Sequence, residues 1–191
     1  MRQEIVRDIQ DSIRVKEALL KSDVPDLVER AALKIFDCFK NQKKVLFFGN
    51  GGSAADSQHL SAEFVGRYEK ERRALPAIAL TTDTSALTAI ANDYGYEKVF
   101  SRQIEALGVA GDVAFGFSTS GNSKNVILAF EKAKECGLYT IGFTGRDGGQ
   151  IRLAADLCIV VPSEKTSRIQ ESHGLLGHIL CERIDELFAH A

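Results

Sequence analysis

The sequence predicts an α/β fold: a five-stranded parallel sheet in a flavodoxin-like three-layer αβα sandwich, with extra N-terminal helices and a long C-terminal helix. Two observations carry this expectation. Short apolar runs alternate with longer amphipathic stretches, the rhythm of strands joined by crossover helices and covered on both faces. Hydrophobic residues make up 45% of 191, enough for one well-buried core in a length too short for two comfortable domains, so 1–191 reads as a single domain.

Two helical stretches come first, Glu4 to Lys21 and Val24 to Lys40. The expected strands are Lys44 to Phe48, Ala77 to Leu80, Val113 to Phe117, Tyr139 to Phe143 and Leu157 to Val161. Each is short and ended by Gly, Ser, Thr, Asp or Pro. A helix opens with Ala54-Ala55-Asp56 after the first strand, another covers Lys124 to Cys136 after the third, and the last spans Ser167 to Ala189. The terminal helices hold more apolar positions than one small sheet needs, so helices 1–40 are expected to contribute to oligomerisation by packing on a second copy.

Composition excludes several classes. Lys and Arg total 24 against 26 Asp and Glu, a net charge of -2, which leaves no bulk field to collect nucleic acid or an anionic membrane. No segment approaches the roughly 18 apolar residues of a membrane span, and charges interrupt the first twenty residues, so a soluble cytoplasmic chain is expected. Cys38, Cys136, Cys158 and Cys181 form no C-x-x-C pair and read as reduced thiols. Only three prolines and no repeat or low-complexity tract are present, so no linker is indicated.

Ligands of open parallel sheets bind outside the carboxyl ends of the strands, and two of the loops there stand out. Gly49-Asn50-Gly51-Gly52-Ser53 follows the first strand, and Ser118-Thr119-Ser120-Gly121-Asn122-Ser123 follows the third. Each precedes a helix whose positive end and free amides favour an anion, and the hydroxyls of the second loop suit one phosphate. Ordinary helix capping uses the same residue types. Gly49-x-Gly51-x-x-Ala54 also meets a relaxed dinucleotide fingerprint. Its expected acid should lie about 20 residues on, whereas Asp83 lies 29 beyond Ala54. A sugar phosphate is the simpler guest.

His59 and Glu63 are four apart and share a helix face, with Asp56 one turn earlier. Gln170 and His178 on the last helix are eight apart, about 80° around its axis. Two imidazoles, a carboxylate and an amide oxygen suit zinc, although a solvated helical pair is the commoner meaning of His-x-x-x-Glu. His173 is expected at the edge of the site and His190 at an exposed terminus.

Together, Gly49 to Ser53, His59-x-x-x-Glu63, Asn92-Asp93, Ser118 to Ser123 and Arg168-Ile169-Gln170-Glu171 resemble the phosphoheptose isomerases, of the sugar-isomerase (SIS) fold. The match runs from the N-terminal helices to the last helix. The resemblance implies a cytoplasmic homotetramer with active sites at subunit boundaries, one zinc per subunit, and the first step towards activated heptose for lipopolysaccharide, capsule or related glycans. It places Asn50, Gly51, Gly52, Ser53, Asn92 and Asp93 on the sugar and Ser118, Thr119, Ser120 and Ser123 on the phosphate. It assigns His59, Glu63, Gln170 and His178 to the metal, with Glu63 and Gln170 also touching substrate. Ser167 stands where some isomerases of the family carry Asp, so no carboxylate role is carried over there.

The implied reaction converts D-sedoheptulose 7-phosphate to D-glycero-D-manno-heptose 7-phosphate through an enediolate. Glu63 is the expected base and His178 the expected acid, while Asp93 or His173 is a candidate shuttle for ring opening. Glu63 and His178 are expected to meet from different subunits. Ligation and proton transfer compete for their lone pairs, and the sequence leaves that choice open. A rival from another class shares the fold: a non-catalytic tetramer that binds the replication initiator and lacks the equivalents of Glu63 and His178. A sugar-phosphate-sensing domain is the third reading.

Overall fold

The computed structural model describes residues 1–189, so His190 lies outside the described residues. Five parallel strands form one sheet: β1 (Val45–Gly49), β2 (Ala77–Ala79), β3 (Val113–Ser118), β4 (Tyr139–Gly145) and β5 (Leu157–Val161). Their order is β2-β1-β3-β4-β5, the flavodoxin-like order, with Gly49 opposite Phe117 where β1 meets β3. All five expected strands are present. Their ends move by at most two residues, and Leu157–Val161 falls as expected.

The helices are α1 (Arg2–Leu20), α2 (Val24–Lys40), α3 (Gly52–Val65), α4 (Thr84–Tyr94), α5 (Ser101–Leu107), α6 (Lys124–Glu135), α7 (Ile151–Ala154) and α8 (Thr166–Ala189). The sequence reading did not name α4, α5 or α7. No residue of α4 is fully buried, although Leu87, Ile90 and Ala91 pack against the core, and α7 is one turn long. α3 begins two residues earlier than expected, at Gly52.

Alternation along the strands fills two cores. Val45 and Phe47 face α2, α3 and α8, where Ile35, Phe39, Leu60, Phe64, Leu180 and Ile184 close over Phe115, Phe117 and Phe143. Leu46 and Phe48 face the other way, onto Phe100, Ile104, Val126, Phe130 and Ile151. The phenyl rings pack at offset or edge geometry, for example Phe115 on Phe143 with centroids 4.8 Å apart. Each fully buried ring contributes about 1.5–3 kcal/mol relative to exposure. The cysteines are free, with Cys38 and Cys181 buried.

α1 is held less firmly. Only Val15 and Leu19 of it are buried, while Ile5, Ile9 and Ile13 lie exposed along one stripe. Polar links join it to α8 and the residue before it: Ser12 donates to Glu171 at 2.8 Å and Lys165 pairs with Asp11 at 2.7 Å. No described helix is long and apolar enough to cross a membrane.

Candidate active site

The site grows from the crossing of α3 and α8. Gly177 lets the two helices approach, because a Cβ there would meet the Leu60 methyls at 2.8 and 2.9 Å. Across that contact His59 Nε2 lies 2.7 Å from His178 Nε2, and Glu63 Oε1 lies 3.6 Å from the same His59 nitrogen. Two nitrogens at that distance share one proton as a hydrogen bond, one ring donating and the other accepting. Tyr68 lies over His178 with ring centroids 5.7 Å apart. The meeting occurs within one chain, which corrects the expectation that different subunits bring these helices together. α8 can fold back over α3 because both pack on the same sheet face.

Gln170 extends the same face of α8 towards the first glycine loop. A Cβ at Gly52 would lie 2.5 Å from Gln170 Nε2, so the bare glycine makes room for the amide. Gly51 serves as the α3 N-cap, and Ser53 is buried with its amide on the Asn50 carbonyl. The Asn50 side chain exchanges two 2.9 Å hydrogen bonds with Asn125 and accepts a third from the Tyr96 hydroxyl at 3.0 Å. That side chain is therefore largely committed to the protein, with Asn125 and Tyr96 as partners that sequence reading did not single out.

At the end of β3 the hydroxyls converge. Ser118 Oγ lies 2.9 Å from Ser123 Oγ and 3.5 Å from Ser120 Oγ, while Thr119 and Ser120 are half-buried. Ser123 is the N-cap of α6 without making a side-chain capping bond, which leaves its hydroxyl in the loop. Gly49 and Phe117 are register partners, so the two loops sit at neighbouring strand ends.

Other expected residues lie elsewhere. Asn92 and Asp93 are exposed on α4, where Asn92 donates to Asp93 at 2.8 Å; among the described residues neither bonds to another candidate residue. Asp83 accepts from the Ala86 amide at 2.9 Å as the N-cap of α4, which removes the acid that a dinucleotide reading needs. His173 is fully buried between Phe117 and Phe143, its Nε2 donating to the Thr144 carbonyl at 3.0 Å. Burial outweighs that bond and pushes its pKa down to about 4. This corrects both its placement at the site edge and its candidacy as a proton shuttle. It tethers α8 to the end of β4. Burial also raises the Asp56 carboxyl, against the pull of His59, and its Oδ2 has no partner among the described residues.

Comparison with known proteins completes the picture. The family model for the SIS domain matches residues 9–145. A phosphoheptose isomerase of Helicobacter pylori (strain P12) is 55% identical over 177 residues, 92% of each chain. The chain belongs to the phosphoheptose isomerase family. Among solved structures, the phosphoheptose isomerase of Neisseria gonorrhoeae superposes with a TM-score of 0.91 at 48% identity, covering 97% of this chain and 98% of that one. The phosphoheptose isomerase of Francisella tularensis gives 0.93 at 36% identity, covering 96% and 97%. Membership in the phosphoheptose isomerase family makes the chain an isomerase and decides against the docking-module reading, in agreement with the presence of Glu63 and His178 at one crossing.

Proposed function

We propose that the chain interconverts D-sedoheptulose 7-phosphate and D-glycero-D-manno-heptose 7-phosphate at the head of activated-heptose synthesis, supplying lipopolysaccharide or related glycans. The observation that carries this reading is the 2.7 Å approach of His59 and His178 with Glu63 beside them. The hydroxyl loop for a phosphate and the glycine loop for a sugar lie towards the N-terminal end of α3, where Gln170 of α8 meets Gly52. Ser118, Thr119, Ser120 and Ser123 would hold the phosphate near the α6 N-terminus, where the helix dipole favours its charge. Gly51, Gly52 and Ser53 would face the sugar. Asn50 has little hydrogen-bonding capacity left, and Asn92 and Asp93 reach the sugar only if α4 moves or a second copy adjoins it.

Isomerisation needs a base for the C1 proton and an acid towards C2. Glu63 is the base: one carboxylate oxygen faces His59, and the other, with no hydrogen bond among the described residues, takes the proton. His178 is the acid through the Nε2 that faces His59, so proton transfer and ligation of an ion are alternative states of that one nitrogen. Each contributes about 10²- to 10⁴-fold when well placed.

The donor set also suits a metal. Two imidazole Nε2 atoms face each other next to a carboxylate, the nitrogen and oxygen chemistry that zinc takes. Among the described residues no three such side chains are gathered as a closed cage, so Gln170 and a turn of Glu63 would have to complete it. His59, Glu63, Gln170 and His178 would hold the ion, and when bound it would polarise the substrate carbonyl and stabilise developing negative charge.

The exposed Ile5, Ile9 and Ile13 stripe supports a homotetramer built through helices 1–40. So does a cavity of about 870 Å³ between α1, α2 and α8, lined by Leu19, Val24, Val28, Leu33 and Leu175. A soluble cytoplasmic location fits the same reading. The test is incubation of purified protein with sedoheptulose 7-phosphate, followed by NMR. Appearance of the aldoheptose phosphate is expected; a folded protein that leaves the ketose unchanged, with and without added zinc, overturns the proposal.

A further inference from the structure

We propose that Arg72 and Asp185 form a positioning clamp that fixes Glu63 against His178, so that the pair governs turnover rather than substrate capture. The inference rests on the isomerase reading above, because it concerns the same crossing of α3 and α8.

The side chains of Arg72 and Asp185 are 5% and 1% exposed and pair at 2.6 Å, a contact with almost no solvent to screen it. The guanidinium does more than neutralise the carboxylate. It donates to the Glu63 carbonyl at 2.9 Å and to the Phe64 carbonyl at 3.0 Å, and it reaches the Gly66 carbonyl at 3.4 Å. These are carbonyls of the last turn of α3 and its C-cap, groups a helix leaves unpaired and where a positive charge is favoured. Arg72 therefore binds the backbone of the residue whose side chain is the base.

Asp185 anchors the other end. It stands seven residues after His178 on α8, two turns along and on the same face. Its second oxygen accepts from the Glu69 amide at 3.0 Å and the Lys70 amide at 3.1 Å, which holds the segment that delivers Arg72. Burial alone would raise this carboxyl. The Arg72 bond and the two amides outweigh it and hold it below the ordinary carboxylate range. The chain of contacts runs from His178 along α8 to Asp185, across to Arg72 and back to Glu63.

A lysine at position 72 keeps the charge opposite Asp185 but lacks the planar fork that spans the carboxylate and two carbonyls at once. Losing the hold on the α3 terminus would let the Glu63 carboxylate leave its productive geometry, where about 1 Å of misplacement costs on the order of 10²-fold. The serine loop and the glycine loop lie at the other end of α3 and do not depend on the clamp.

The experiment measures kcat and KM for sedoheptulose 7-phosphate in wild type, Arg72→Lys and Asp185→Asn. Melting midpoints and oligomeric state are recorded on the same samples. For Arg72→Lys the expected result is a kcat lower by about 10- to 100-fold with KM within about twofold, in protein that is folded and assembled at the assay temperature. Asp185→Asn should show the same split. An unchanged kcat in a folded variant overturns the clamp. So does a loss of rate that only follows the fraction unfolded, or the failure of both variants to fold, since either assigns the pair to stability alone. Inactive wild type is a separate outcome that overturns the isomerase reading, and the clamp with it.

Discussion

Replacing His173 by glutamine should remove an acid sensitivity built into the core. In the folded protein the ring is buried and its pKa is pushed from 6.5 to about 4, so between those values the unfolded chain binds a proton that the native state refuses. Stability is therefore complete above about pH 7 and falls as the pH drops towards 4. Linkage gives the magnitude: the loss from this one group is about 2 kcal/mol at pH 5 and about 3 kcal/mol at pH 4. Glutamine can present its amide N–H to the Thr144 carbonyl, as His173 Nε2 does now at 3.0 Å, and it does not titrate. Urea unfolding at pH 7 and pH 5, at one fixed protein concentration, is the assay. Wild type should lose about 2 kcal/mol more than His173→Gln over that interval. Parallel losses in the two proteins would show that the buried ring is not the group responsible.

Glu63→Gln and His178→Gln should each abolish isomerisation while melting curves and assembly stay close to wild type; near-normal turnover in either would remove that residue from the reaction. Ser120→Ala should raise KM for sedoheptulose 7-phosphate with a smaller change in kcat, and unchanged saturation would argue against the hydroxyl loop as the phosphate site. Chelation should silence the enzyme and zinc should restore it, whereas full activity in metal-free protein, verified by elemental analysis, would refute the metal. Gly177→Ala places a Cβ 2.8 Å from a Leu60 methyl at the helix crossing. Overpacking of about 1–3 kcal/mol is partly offset by the roughly 1 kcal/mol that alanine adds to a helix. The variant should thus melt near wild type yet turn over about 10²-fold more slowly, and wild-type kcat would show that the helices need not approach so closely.

The sheet was legible because its strands are short, largely apolar and bounded by turn residues: Val45 to Phe48 is buried on both faces, a continuous apolar run of strand length. The helices that escaped notice have weak signals for physical reasons. α4 buries none of its residues fully and meets the core only through the partly buried Leu87, Ile90 and Ala91. Among site residues, the two loops and the His59-x-x-x-Glu63 pair were visible because each is local in sequence. Gly177, Asn125, Tyr96, Arg72 and Asp185 were not. Each matters through a partner far away in the chain, as Asp185 does for Arg72 at a separation of 113 residues.

His173 illustrates the opposite error. A histidine on the helix that carries Gln170 and His178 looks like a member of the same site, but it lies on the opposite side of Gln170 from His178 on the helix wheel. At 100° per residue, His173 lies about 60° from Gln170 on the helix wheel and about 140° from His178. That rotation is enough to turn its ring away from the glycine loop and into the aromatic core under β3 and β4. The same arithmetic keeps Asp185 within about 20° of His178, on the face that meets α3. Helical phase thus separates the buried tether from the residues at the crossing. What phase cannot supply is the approach distance of the two helices, which Gly177 sets, and on which the meeting of His59 with His178 depends.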